Sequence, residues 1–272
     1  MKTRIAGLSL ALLVSCGGSQ PPVEEPPTES TPSETPTATA APAPTETSSE
    51  ATPPAAPTAT ETAAVEEEPP PGSPREKLMR AHFKETEAIR QAVINGRLAA
   101  AISPAKALTK TDGLGTIPPK WKQPLSALQS AAGRVSSSPD IPAVAAATAD
   151  IGVACGSCHR ANAGPKAKLD GAPAAGTDVK SLMDRHAWAT ERLWEGLYVP
   201  ADDAWKAGAE ALAEVKFPES VLKKGGVHGR SAADRMKRLL KDASGKKSPA
   251  DRAKIYAALL ETCSACHQAM QD

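Results

Sequence analysis

Two five-residue stretches carry the chemistry of this chain: Cys263-Ser264-Ala265-Cys266-His267 near its end, and Cys155-Gly156-Ser157-Cys158-His159 in its middle. C-x-x-C-H is the spacing of a c-type haem attachment site. Two thiols add to the two haem vinyl groups, and the adjacent imidazole becomes an axial ligand of the iron. On a helix, positions i, i+3 and i+4 share one face, so all three groups can meet one porphyrin. Four of the five cysteines belong to these motifs. Their thiols could instead pool in a structural zinc site or pair as disulfides. A histidine directly after the second cysteine in both copies argues against that. The reading is two covalently bound haem c groups, on Cys155 and Cys158 and on Cys263 and Cys266, with His159 and His267 as metal ligands.

The elements that position these motifs come as two copies of one plan. Met79, His82, Thr86, Ile89 and Val93 recur 104 residues later as Met183, His186, Thr190, Leu193 and Leu197. Their spacing is the stripe of a buried helix face. The two motifs are offset by 108 residues, so each copy opens with a Met/His helix and closes with a motif helix. Ser73-Pro74, Ser138-Pro139 and Ser248-Pro249 offer helix starts, with Glu76 three residues after Ser73. The spacing predicts helices near 74–101, 103–110, 119–135 and 139–161, then near 178–197, 201–214, 230–243 and 249–270. Residues 162–177, rich in Gly, Ala and Pro, read as a linker between a first domain at 73–161 and a second at 178–272. No segment alternates like a strand, so the class is all-α. Each copy has few large side chains, and a covalent porphyrin would supply the missing apolar bulk.

Residues 1–15 have the shape of a secretory signal: Lys2 and Arg4, then an apolar run from Ile5 to Val14 that is too short for a permanent span. The run ends in Leu13-Val14-Ser15-Cys16, which resembles the lipobox of bacterial lipoproteins. That resemblance implies lipidation of Cys16 and an extracytoplasmic chain anchored to a bacterial membrane, in the periplasm or at the outer membrane. Residues 16–72 are dense in Pro, Thr, Ala, Ser and Glu and lack aromatic residues, which predicts a disordered tether. Residues 73–272 carry 30 basic and 21 acidic side chains, a net charge of +9. A moderately basic surface could steer an acidic redox partner, though scattered lysines also suit any solvated helical surface. Export, haem and few aromatic residues argue against nucleic acid.

The place of the motif on the last helix of each copy, with a first helix to cover the other side of the haem, resembles class II cytochromes c, the cytochrome c′ family of four-helix bundles. The resemblance implies two tandem bundles of about four helices each; a single intertwined bundle holding both haems also satisfies the residues. It places an apolar residue or a methionine on the first helix opposite the haem. This chain offers a histidine as well, and the shared register favours His82 and His186 as sixth ligands, with Met79 and Met183 as the alternatives. Trp188 and Trp194 read as core or haem-edge packing. The function expected is one-electron transfer between a redox protein donor and acceptor, with no catalytic residue. The alternative is a gas-binding or peroxide-reactive protein with an open distal site. Nothing in the residues assigns an oligomeric state.

Overall fold

The computed structural model describes residues 72–271, apart from 113, 114, 163, 168, 169 and 200. The signal segment at 1–15, Cys16 and the tether at 16–72, except Gly72, lie outside the described residues. Among the described residues the regular structure is all helical, with no strand. The first copy forms α1 (Pro74–Ile94), α2 (Leu98–Leu108), α3 (Pro119–Ser137) and α4 (Ile141–Ala161). The second forms α5 (Val179–Tyr198), α6 (Asp202–Ala213), α7 (Glu219–Lys224), α8 (Gly226–Leu240) and α9 (Pro249–Ala269).

Local chemistry explains the helix ends. Ser73 Oγ accepts from the Glu76 amide at 3.1 Å, and Ser248 Oγ from the Asp251 amide at 3.5 Å. The start expected at Ser138-Pro139 moves by two residues. Ser138 instead closes α3, and the Asp140 carboxylate caps α4 by accepting from the Ala143 amide at 2.9 Å. The long first helix expected over 74–101 breaks at Asn95-Gly96, where Gly96 takes φ +67° and starts a new axis. Helix α8 begins earlier than expected, at Gly226, whose φ is +57°, and α7 is a short helix that the apolar spacing does not announce.

The two copies share one core. All described residues fall in one compact unit. The motif helices α4 and α9 lie against each other. Each first helix touches both of them: α1 lies on α4 and α9, and α5 on α4 and α9. Helices α2 and α3 flank this centre on one side of the sequence, and α6, α7 and α8 on the other. The chain therefore builds the single intertwined bundle rather than two tandem ones. Small residues on α4 permit it: Ala145, Ala147, Ala149, Ala154, Gly152 and Gly156 are all buried. Helix α4 is also long and apolar enough to cross a membrane, and half of that stretch is buried inside the bundle. Its apolarity is that of a central helix with neighbours on several sides.

The repeated stripes point inward as the spacing predicts. His82, Thr86, Ile89 and Val93 are buried on α1, as are Leu193 and Leu197 on α5. Met79 is the exception, at 38% exposure on the first turns of α1.

Candidate functional site

In the second copy, α5, α7, α8 and α9 line a half-open cavity of about 480 Å³, inside the range of roughly 300–1,000 Å³ common for cofactor sites. Cys263, Cys266 and His267 line it from α9, where the i, i+3, i+4 spacing puts them on one face. Met183 and His186 line it from α5, one helical turn apart. Phe217, Met236 and Met270 complete an apolar wall, and the Phe217 ring lies 5.9 Å from the His186 ring, centroid to centroid. His186 Nδ1 is buried and has no hydrogen-bond partner among the described residues. Burial, and then the nearby His267, push His186 down to about 4, and burial lowers His267 as well. Both imidazoles are therefore neutral near pH 7, the form that binds a metal.

The first site is built differently. His159 Nδ1 donates to the Tyr198 carbonyl at 2.6 Å, a contact from the end of α5 to the end of α4. That bond fixes the tautomer and leaves Nε2 as the free ligand atom, the arrangement usual for metal-binding histidines. Asn162 donates to the Cys158 carbonyl at 2.8 Å and to Cys158 Sγ at 3.4 Å, and Trp121 on α3 donates its indole N–H to Asn162. His82, the counterpart of His186, is buried on α1, and its Nε2 donates to the Lys110 carbonyl at 3.3 Å. Met79 is 38% exposed, whereas Met183 lines the cavity. The second site thus brings its predicted residues together around one space; in the first, His82 bonds the Lys110 carbonyl and Met79 is partly exposed.

The thiols carry a further indication. Among the described residues none of the four motif cysteines is in a disulfide. Burial pushes both Cys155 and Cys263 up to about 12, with their partner cysteines adding to the shift, and Cys266 is raised by burial too. Zinc takes thiolates. Among the described residues no group of three or more His, Cys, Asp or Glu side chains is arranged around a common point for a metal ion, so the pooled zinc site is not built. What the second cavity offers is two thiols, two neutral imidazoles and apolar walls. These residues fit a covalently held porphyrin.

Against families, curated proteins and solved structures, the chain has no match. The site stands on its own geometry.

Several residues around the sites escape sequence reasoning. Arg90 is buried at 4% exposure, paired with Glu87 and, across the copies, with Glu191, and its charge is felt at Cys263 and Tyr256. Tyr198 matters through its backbone carbonyl, which no side-chain pattern encodes. Tyr256 had a visible signal: it stands seven residues before Cys263, on the same helix face.

Proposed function

We propose that the chain is an exported dihaem c-type cytochrome, lipid-anchored through Cys16, that carries electrons one at a time between redox protein partners. The observation that carries the reading is the second cavity, where Cys263, Cys266 and His267 face His186 and Met183. When bound, haem c supplies a one-electron iron couple whose potential is set by its axial ligands and burial. The chain's own residues do the rest. The thiols of each motif would hold the haem covalently, and His159 and His267 would each ligate an iron. His186 and His82 are the sixth ligands of this reading, and the apolar walls exclude water. A surface net charge of +9 over residues 73–272 suits acidic partners.

One observation favours a second reading for the first site. Coordination by His82 through Nε2 requires that atom to leave the Lys110 carbonyl, and with that bond kept only Nδ1 is left as a ligand atom. An iron held there by His159 alone would be open to a small gas or peroxide.

The test is mass spectrometry of the intact exported protein, followed by ferric and ferrous optical spectra with and without carbon monoxide. Two covalent haems and low-spin spectra indifferent to the gas are expected for the carrier. A chain without covalent haem overturns the proposal. High-spin signal and gas binding at one haem would assign the first site to the second reading.

A further inference from the structure

A file of aromatic rings runs through the shared core from one motif helix to the other. It starts at His159, whose Nδ1 is held by the Tyr198 carbonyl and whose ring lies 6.5 Å from the Tyr198 ring, edge on. The Tyr198 ring is 5.6 Å from that of Trp194, and Trp194 is stacked on Tyr256 at 5.5 Å and 26°. Tyr256 lies on the face of α9 that carries Cys263 two turns later. Trp194 and Tyr256 are at most 2% exposed. The chain has only two tyrosines and four tryptophans, and both tyrosines stand in this one file.

Apolar packing does not require this composition. Trp194 Nε1 is buried with no hydrogen-bond partner among the described residues, a cost that a phenylalanine would avoid. By contrast Trp205, equally buried, donates to the Ala243 carbonyl at 2.7 Å. Packed π systems couple two redox centres across a dry core better than aliphatic side chains do, and they do so without being oxidised themselves.

We propose that Trp194, flanked by Tyr198 and Tyr256, is the electron path between the two motif sites. The proposal rests on the dihaem reading and adds that the two centres exchange electrons inside the chain. One centre loses an electron as the other gains it. No bond forms or breaks, no proton moves, and no outside oxidant takes part.

The experiment is exchange NMR on the full-length holoprotein, half-reduced with dithionite, reading the rate at which the two one-electron-reduced forms interconvert. Trp194→Leu interrupts the file, Tyr198→Leu interrupts it at its half-buried end while keeping the backbone carbonyl on His159, and Trp205→Phe is a buried control outside it. We expect exchange slowed about tenfold or more in either leucine variant, and unchanged in Trp205→Phe. Potentials and haem content stay those of the parent. Tyr198→Leu supplies the readout where Trp194→Leu fails to fold. Wild-type exchange rates in a folded, dihaem leucine variant overturn this path alone. A parent protein without two covalent haems overturns the dihaem reading and the path with it.

Discussion

Gly156, inside the first C-x-x-C-H, makes the crossing of the two copies measurable. A Cβ at this position would sit 2.1 Å from the Leu197 carbonyl oxygen, a backbone atom at the end of α5. Leu197 O belongs to the last turn of a helix, and the glycine lets it come within reach of a Cα–H contact. Gly156→Ala has two opposed effects. Alanine is favoured over glycine in a helix interior by about 1 kcal/mol. Against that, α5 must retreat by roughly 1 Å to restore ordinary contact, an overpacking cost of about 1–3 kcal/mol. Because the obstacle is backbone, the upper part of that range applies, and a net loss of about 1–2 kcal/mol is expected. For a unit of this size that lowers the melting temperature by about 2–8 °C. The retreat also pulls the next carbonyl, that of Tyr198, away from His159 Nδ1. Gly133, in α3, is the control, because a Cβ there meets nothing within 4 Å. Gly133→Ala should stabilise by about 0.5–1 kcal/mol. Thermal unfolding followed by circular dichroism compares the two. A Gly156→Ala protein that gains stability as Gly133→Ala does would mean that α5 does not cross α4 there, and the intertwined bundle would fall.

Three further outcomes are expected. Arg90→Met strands Glu87 and Glu191, but both carboxylates are about a third exposed and regain water, so a loss of about 1–3 kcal/mol in urea denaturation is expected rather than that of a fully buried pair; an unchanged midpoint would refute the cross-copy ion pair. In the haem-free chain, burial lowers His82, His159, His186 and His267 on folding, so below their ordinary value of 6.5 the unfolded chain binds more protons and stability falls as pH falls. His186 alone, at about 4, makes this worth about 3 kcal/mol, and urea midpoints at pH 7, 5.5 and 4.5 should decline in that order. His186→Ala should convert one haem to a high-spin, carbon monoxide-binding form, whereas retention of a low-spin spectrum would pass the ligand role to Met183 or another cavity methionine.

The helices were legible in the sequence because their signals are local. Ser73 and Ser248 cap within three residues, the stripe from His82 to Val93 repeats with the helical turn, and C-x-x-C-H places three groups on one face. Those same patterns say that a face is buried but not what buries it. The stripe on α5 is as compatible with its own copy's motif helix as with the other's, and only the small residues at Gly152 and Gly156, which admit Trp194 and Leu197, select the crossing. For the same reason the equivalence of His82 and His186 in register did not carry over to their partners. One imidazole reaches the cavity and the other a carbonyl at Lys110, 28 residues along the chain. The Tyr198 carbonyl on His159, the Arg90–Glu191 pair and the Trp194–Tyr256 stack all join residues of different helices. Sequence periodicity determined which side chains leave water. Tertiary packing decided which of them meet, because contacts between distant segments depend on the shapes of both surfaces at once.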